Sequence, residues 1–384
     1  MKIDPYKTEE HYLGWKKNIR QTGIKDLSKS NSDLLLNYLE DMEIGVNVGH
    51  GSKKGSRSYI RLKSLRDKVT FIMKIASDPY NTDPIANISE DKIHSIFSAM
   101  RKGEIKKRDG QNYRAVSDYV KIFKAFWNWW IKTNKKKGIE IKDISSDLDT
   151  QDEKPDWVYL TEDQVKKMAN SAKYEYRVLI MFLFDSGIRS PTELMNVRVS
   201  DLYDNCKELN IREEISKTFG RRIKLMICPD LLRDYIKVKE LKSEDYVFKI
   251  TPSSVNQYLH SLSKKLFGEG KSPAGTKYSS LTMYDFRHIS CCYWLPRYKS
   301  ESALKYRFGW KKSDKIHYYS ELLGMKDTIN QDDMLIDFTK TEIEKQLQKT
   351  QKENELLQEK MRTMEMQMGK IMELTKRLEI VNLN

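Results

Sequence analysis

Tyr284-Asp285-Phe286-Arg287-His288 is the most informative segment of this chain, together with Gly309-Trp310 and Tyr318-Tyr319 further on. A guanidinium group is planar, always charged and able to bind two phosphate oxygens at once. A tyrosine hydroxyl is a nucleophile that can form a covalent bond to phosphorus. A second arginine, Arg189, lies far upstream in Ser186-Gly187-Ile188-Arg189. This combination indicates chemistry at a phosphodiester.

The composition points to the same kind of partner. The 384 residues carry a formal net charge of +14, which favours an anionic partner, nucleic acid before membrane. The alternative is a basic protein that binds nothing. The four cysteines have neither a disulfide nor a metal-binding spacing, and they predict reduced thiols in a cytoplasmic protein. No signal region and no apolar run of about 18 residues is present, so no membrane span is expected.

Changes in composition divide the chain into five segments. Residues 1–30 are polar and are expected to be partly ordered. Residues 31–135 show helical spacing of apolar positions throughout and predict an all-helical domain. Residues 136–156 are a lysine-rich and then acidic linker, expected to be extended. Residues 157–338 form a second domain, and residues 339–384 form a tail.

The elements within the two domains follow from local signals. A serine or asparagine near Ser30 is expected to cap the first helix, and Ser89 another. A row of aromatic residues suggests base stacking, but its helical spacing favours core packing: Phe126, Trp127, Trp129 and Trp130. In the second domain, Thr161 is expected to cap a helix. Residues 208–215 and 222–227 predict two strands around a tight turn. The fold class is therefore mainly α with a small β-hairpin.

The tail has a heptad pattern. Its seam positions step by three and four alternately: Ile343, Leu347, Thr350, Asn354, Leu357, Met361, Met364, Met368, Ile371, Thr375 and Leu378. The pattern predicts a coiled coil that joins copies of the chain, with Asn354 fixing the register. The alternative is a single amphipathic helix that folds onto its own domain.

Cleavage of a phosphodiester without a metal ion needs a nucleophile, positive charge on the non-bridging oxygens and a proton for the leaving oxygen. Tyrosine, a pair of arginines and a lysine or histidine suit these three tasks. The sequence has no obvious Asp/Glu cluster of the metal-nuclease kind. The metal-free route is therefore the better fit.

Residues 157–323 resemble the catalytic domain of the tyrosine recombinases, the phage integrase family, and most closely its archaeal branch. The family's first arginine lies in a Gly-x-Arg turn, here Gly187 to Arg189, with a carboxylate soon after. That carboxylate is Glu193, four positions on instead of three, which leaves its role open. The family's His-x-x-Arg box corresponds to Tyr284 and Arg287, so a tyrosine replaces the histidine. His288 follows and is expected to be a packed helix residue.

The remaining family positions can also be assigned. The catalytic lysine of the β-hairpin corresponds to Lys217, with Lys224, Arg221 and Arg222 as nearby rivals. The family's next position is a histidine or tryptophan that follows a glycine, and here it is Trp310 after Gly309. The nucleophile nine residues further on is Tyr319, with the adjacent Tyr318 as the alternative.

The resemblance implies a site-specific DNA recombinase that uses no metal ion, nucleotide or other cofactor. Arg189 and Arg287 would hold the phosphate, Tyr284 and Trp310 would hydrogen-bond it, and Lys217 would protonate the leaving oxygen. The helical domain would close a clamp on duplex DNA, and four copies would act on two sites. A basic set is expected to contact the DNA backbone, with a solvated face as the alternative for the first five: Lys53, Lys54, Arg57, Arg61, Lys63, Arg221 and Arg222.

The same chemistry serves several tasks. Integration or excision of a mobile element is the expected one. The alternatives are chromosome-dimer resolution, topoisomerase-like relaxation and an inactive DNA-binding protein derived from a recombinase.

Overall fold

The computed structural model describes residues 3–47, 55–77, 84–151, 156–298, 300–313 and 316–323, and within the tail residues 350–351, 353–354, 357–362 and 364–369. The helices are α1 Thr8–Thr22, α2 Lys29–Ile44, α3 Tyr59–Ala76, α4 Glu90–Lys102, α5 Val116–Lys135, α6 Glu162–Ser171, α7 Tyr174–Ser186, α8 Pro229–Val238, α9 Pro252–Phe267, α10 Asp285–Trp294, α11 Glu301–Phe308 and α12 Ile316–Leu322. The strands are β1 Leu202–Tyr203, β2 Glu208–Ile211 and β3 Arg221–Lys224. The predicted fold class, mainly α with a small antiparallel sheet, is confirmed.

The helices α1 to α5 enclose one hydrophobic core. Ser28 caps α2 by accepting a hydrogen bond from the backbone N–H of Asn31, and Ser89 caps α4 in the same way. The aromatic row of α5 lies in this core, with Phe126, Trp127 and Trp129 buried. Core packing is therefore confirmed over base stacking for these three side chains.

The expectation for residues 1–30 is wrong. Residues 8–22 form α1, and the ring of Tyr12 is 1% exposed in the N-terminal core. Tyr12, Trp15 and Ile19 share one helix face at a spacing of three and four, and the surrounding charges conceal this narrow stripe. Asp4 supports the start of the helix because its carboxylate accepts a 2.6 Å hydrogen bond from the backbone N–H of Thr8.

The linker is also more ordered than predicted. Ile144 and Leu148 are buried in the N-terminal core. The indole of Trp127 donates a 3.0 Å hydrogen bond to the carbonyl of Lys142. Two apolar side chains in a charged segment are enough to hold residues 136–151 against the helices. The charge pattern alone does not reveal this.

The second half of the chain has a separate core, formed by α6 to α10 and the sheet. A smaller cluster joins Trp157 to the region of α10, α11 and α12. Thr161 and Gln164 form the capping box predicted for α6.

The hairpin differs from its prediction in length. Strands β2 and β3 pair antiparallel with Leu209 opposite Ile223, and β1 adds a third strand. The connection is the nine-residue segment 212–220, not a tight turn. Apolar residues near the turn suggested longer strands, but Ile215 enters the core from this connection. Pro229 is the first residue of α8, a position that proline favours because its missing N–H has no helical partner.

Residues 324–384 form a second compact unit. Its described residues are helical, and the side chains of Leu357, Met361, Met364 and Met368 are exposed. The remaining apolar seam positions lie outside the described residues, as does the predicted boundary at residue 338. Among the helices that are described, none is long and apolar enough to cross a membrane.

Candidate active site

Two glycines end helices at the centre of the site. Gly187 follows α7 and Gly309 follows α11, each with a φ of +59°. A Cβ at Gly187 would lie 2.4 Å from the Phe308 ring, and one at Gly309 would lie 2.8 Å from Arg221 Nη1. Both positions therefore require glycine. The tight helix ends bring the carbonyls of residues 187, 308 and 309 to the site arginines.

Arg287 is buried beneath these turns. Its Nη1 donates a 2.7 Å hydrogen bond to the carbonyl of Gly187, and Nη2 donates to the carbonyl of Phe308. The guanidinium lies 5.4 Å from the centroid of the Phe308 ring and 5.8 Å from that of Trp310. Burial, followed by the positive charge of Arg189, lowers the pKa of Arg287 to about 10. The group remains charged at neutral pH.

Arg189 lies beside Arg287. Its Nη2 donates a 2.8 Å hydrogen bond to the carbonyl of Gly309, and its Nη1 pairs with Glu193 Oε1 at 2.8 Å. The two guanidinium groups therefore contact consecutive carbonyls of one turn. The structure brings together the two arginines that the sequence predicted as phosphate ligands.

Glu193 links two arginines. Its side chain is fully buried and pairs with Arg221 Nη2 at 2.8 Å as well as with Arg189. Burial by itself raises the pKa of Glu193, but the hydrogen bond and charge of Arg221 and the backbone N–H of Arg189 outweigh it and lower the pKa to about 2. Residues 190–193 form a turn, in which the backbone N–H of Glu193 donates a 2.8 Å hydrogen bond to the carbonyl of Arg189. The spacing that left the role of Glu193 open therefore places its carboxylate on Arg189.

The structure corrects the expectation that Arg221 contacts DNA. Arg221 is 2% exposed, and its Nε donates a 2.9 Å hydrogen bond to the carbonyl of Arg307. Its Nη1 and Nη2 donate hydrogen bonds to the carboxylate of Glu193. Arg222, the next residue along β3, is exposed, pairs with Glu208 and lies over the Tyr203 ring. A DNA contact by Arg222 stays a prediction.

The positively charged groups of the site outnumber the negatively charged ones. Within the described part of the chain, the guanidinium groups of Arg189, Arg221 and Arg287 share one buried carboxylate, that of Glu193. Because like charges in a poorly solvated site repel each other, a bound anion would stabilise the arrangement.

Lys217 lies on the connection between β2 and β3 and is exposed. Its two neighbours fix that connection to the site. Ser216 Oγ lies 3.4 Å from Glu193 Oε1, and Thr218 Oγ1 donates a 2.8 Å hydrogen bond to the carbonyl of Gly309. These two contacts anchor the loop that carries Lys217, and a catalytic role for the exposed Lys217 side chain stays a prediction. Its rival Lys224 is also exposed, at the end of β3.

Tyr319 is a buried residue of α12. Its ring is parallel to that of Trp310, with 6.0 Å between centroids, and its hydroxyl oxygen lies 2.7 Å from His288 Nδ1. Burial raises the pKa of Tyr319. The adjacent Tyr318 is half-buried, and its ring contacts that of His317. The stacking therefore links Tyr319, and not Tyr318, to the Trp310 position.

Tyr284 lies at the start of α10 and is 49% exposed. Its ring meets that of His288 edge-on at 5.3 Å between centroids. The phenol is therefore available to a ligand, as expected for a hydrogen-bond donor.

The basic set near α3 is only partly tested. Lys53 and Lys54 lie outside the described residues. Arg57 precedes α3, and Arg61 is exposed near its start. Lys63 is two positions from Arg61, which places the two side chains on different faces of the helix. These residues therefore do not form a single basic face. In the part of the chain that is described, no group of three His, Cys, Asp or Glu residues is placed to hold a metal ion.

Residues 158–324 match the model of the phage integrase family. This segment is a phage integrase family domain. The family is an enzyme class that exchanges DNA strands without a metal ion, and the prediction of a site-specific recombinase is thereby confirmed. The archaeal branch stays a prediction. A search of the curated proteins finds no match to the chain.

Solved integrase structures share the fold. A lambda integrase dimer bound to a COC′ core site matches with a TM-score of 0.56 and 16% identity over 78% of this chain and 98% of that one. A lambda integrase tetramer bound to a Holliday junction gives 0.54 and 15% over 82% and 83%. The Tn1549 transposon integrase in complex with circular intermediate DNA gives 0.51 and 14% over 82% and 100%. At this identity the likeness concerns the fold.

Several residues of the integrase site were not predicted from the sequence. Thr218 and Ser216 anchor the loop that carries Lys217. Their adjacency to Lys217 is the sequence signal from which this role could have been inferred. His288 lies one helical turn after Tyr284 and therefore on the same face of α10. Trp157, which stacks on His288, gave no signal, because only the fold brings it to the site.

Proposed function

We propose that this integrase domain cleaves duplex DNA by attack of Tyr319 on a phosphate held by Arg189 and Arg287, leaving a 3′-phosphotyrosyl link. One observation carries the proposal. The two guanidinium groups contact consecutive carbonyls of the turn that ends at Trp310, and the Tyr319 ring stacks on Trp310. A phosphate bound by both arginines would neutralise the excess charge of the site next to this hydroxyl.

The other residues have supporting tasks in this proposal. Lys217 donates a proton to the departing 5′ oxygen, and the anchoring of its loop through Thr218 supports this role. Tyr284 and Trp310 donate hydrogen bonds to the phosphate. Glu193 acts on Arg189 and Arg221 and does not contact the DNA. Arg57, Arg61 and Arg222 contribute contacts to the DNA backbone.

The assembly is part of the same proposal. Four copies act on two DNA sites, and the tail joins copies through its seam. The exposed leucine and methionines of the helical tail segment support this, because they present apolar surface to a partner. The biological task is integration or excision of a mobile element.

Covalent trapping tests the proposal. On a nicked suicide substrate, the wild-type protein is expected to accumulate a covalent protein–DNA complex. Tyr319→Phe should retain DNA affinity and form no complex, because the attacking oxygen is missing. Tyr318→Phe is the matched control and should form the complex. The assignment is wrong if the two variants exchange these behaviours.

The related functions can be separated on supercoiled plasmids with and without paired candidate sites. Strand exchange that depends on the sites supports recombination. Relaxation without any site dependence indicates a topoisomerase, and the absence of any cutting indicates an inactive DNA-binding protein.

A further inference from the structure

The 2.7 Å contact between Tyr319 Oη and His288 Nδ1 has no task in the function proposed so far. It joins the attacking oxygen to the imidazole group next to Arg287. A tyrosine must lose its proton to attack phosphorus, and here burial raises the pKa of Tyr319. The proton therefore needs an acceptor within hydrogen-bond reach.

The other polar groups of the site are poor acceptors for this proton. Trp310 has an indole N–H, which only donates. Tyr284 is a phenol, which is a weak base at neutral pH. Glu193 is bound by two arginines that hold its pKa at about 2. Neutral imidazole, in contrast, has a free electron pair on one nitrogen and titrates at about pH 6.5 in ordinary surroundings.

Two aromatic rings contact the imidazole ring of His288. The ring of Trp157 stacks on it, with 5.1 Å between centroids and 21° between planes. Trp157 is fixed in turn by the chain around residue 274, since its N–H donates to the carbonyl of Ala274 at 3.2 Å and its carbonyl accepts from Ser272 Oγ at 3.2 Å. The second contact comes from Tyr284, whose ring meets the imidazole edge-on. The histidine is therefore oriented toward Tyr319 and is not a filler of irregular space.

We propose that His288 is the general base that activates Tyr319, one helical turn beyond the position where a tyrosine, Tyr284, replaces a histidine. The inference rests on the proposed nucleophile. In the cleavage step, the Tyr319 oxygen forms a bond to phosphorus while its proton moves to His288 Nδ1. The bond from phosphorus to the 5′ oxygen breaks, and Lys217 supplies the proton to that oxygen. In religation both protons return.

Several titratable and charged groups lie around His288. On its own helix are Tyr284, Asp285, Arg287, Cys291 and Cys292. Asp285 is bound to the N–H of Val158 and to Thr282. The helices packed against α10 contribute the ionisable groups Asp185, which is paired with Arg307, and Tyr319, Tyr318, His317 and Glu321. The 2.7 Å contact with Tyr319 Oη places His288 Nδ1 where it can accept the tyrosine proton.

Single-turnover cleavage at several pH values tests the proposal. The wild-type rate is expected to rise with pH as the imidazole becomes neutral. His288→Gln and His288→Ala should lower the rate at neutral pH by about a hundredfold or more, and this rise should disappear. His94→Gln, on α4 of the N-terminal domain, is the matched control and should change neither. A His288→Gln protein with the wild-type rate and pH profile would overturn the proposal, because only packing would then remain.

A substrate with a bridging sulfur in place of the 5′ oxygen gives a second, independent measurement. A thiolate leaves without a proton, so this substrate should restore cleavage in Lys217→Ala. It should not restore cleavage in His288→Ala, whose defect lies at the attacking oxygen. Equal rescue of both variants would contradict the assignment of His288 as the base.

The two proposals fail in different ways. If Tyr319→Phe still forms the covalent complex, the nucleophile is wrong and the proposed function fails. If Tyr319→Phe is inactive while His288→Gln and His288→Ala behave as wild type, only the base assignment fails. DNA affinity and thermal unfolding of each variant show whether a lost rate reflects chemistry or folding.

Discussion

At the scale of single residues, the site is governed by an imbalance of charge. Arg189 and Arg287 donate to backbone carbonyls, which are neutral acceptors, while the buried carboxylate of Glu193 pairs with Arg189 and Arg221. The guanidinium groups therefore keep their attraction for an anion even though their donors have partners. This arrangement pre-organises the two groups for a charge that grows during phosphoryl transfer.

Replacement of either arginine tests this interpretation. Arg189→Ala or Arg287→Ala should slow cleavage by about a hundredfold or more, the scale of losing one charge-stabilising donor. Affinity for the DNA site should fall far less, because many phosphate contacts contribute to the free energy of binding. Arg233→Ala, which removes an exposed partner of Asp230, is the control. A site variant that cleaves at a near-normal rate would remove that arginine from the active site.

Glu193 should stabilise the protein in a pH-dependent way. Its pKa is about 2 in the folded protein and lies near 4.5 without these partners. A lowered pKa gives stability that is present above about pH 4.5 and is lost as the pH falls toward 2. Glu193→Gln leaves Arg221 buried without its partner charge, which typically costs about 3 to 5 kcal/mol. Urea unfolding at pH 7 and pH 3 should show this difference shrinking at the lower pH, whereas the exposed Glu213→Gln should change little at either.

What the sequence revealed at this scale was the chemistry, not the burial. Arg189, Arg287 and Tyr319 were predicted because their residue types and spacing match a known family of catalysts, and the structure places them around one turn. Arg221 was misjudged because a basic residue on a short strand looks the same whether it faces DNA or a buried Glu193. His288 was predicted only as a packed helix residue, because its partner Tyr319 is distant in the sequence.

At the scale of elements, helix ends do most of the positioning. Gly187 ends α7 and Gly309 ends α11, and their turns present the carbonyls that hold Arg287 and Arg189. The connection from β2 to β3 is anchored on the same turn through Thr218. Strand lengths near this connection were overestimated because apolar residues in a docked loop resemble those of a strand.

The requirement for glycine at position 187 can be separated into two parts. Gly138 also has a positive φ, of +76°, but a Cβ there would meet nothing within 4 Å. Gly138→Ala should therefore cost only the backbone strain, about 1 kcal/mol. Gly187→Ala adds contacts with Phe308 and Ser290, and overpacking of this kind costs about 1 to 3 kcal/mol more. Urea unfolding of the two variants measures the difference, and equal losses would show that crowding at Gly187 is absent.

At the scale of the whole molecule, the described residues before the tail form two large hydrophobic cores, one around α5 and one around α7, and a smaller cluster that joins Trp157 to the region of α10 to α12. Helical and strand periodicity predicts two domains before the tail, because each core needs its own apolar faces, and the domain boundaries stay a prediction. The polar N-terminal segment and the charged linker were misjudged, since a few buried side chains such as Tyr12 and Leu148 decide their order. The average composition of a segment hardly changes when it contains so few apolar residues.

The tail offers the sharpest test of assembly. Its described helical residues expose Leu357, Met361, Met364 and Met368, and we expect these side chains to be buried against an apolar partner. Methionine side chains adapt to changing contacts, which suits an assembly that rearranges during strand exchange. Deletion of residues 339–384 should preserve binding to a single site and the phosphotyrosine complex, and should weaken the joining of two sites and full recombination. Charge substitutions at Met361 and Met364 in the full-length chain should reproduce that loss.

Sedimentation of the free protein and of its two-site complex measures the assembly, beside a recombination assay. Glu359→Lys, at an exposed tail position off the seam, is the control and should leave the assembly unchanged. If the truncated protein joins two sites and recombines at the full rate, the tail serves another purpose. If it fails to fold, the seam packs within its own chain, because removing a self-contained coiled coil would leave both hydrophobic cores intact.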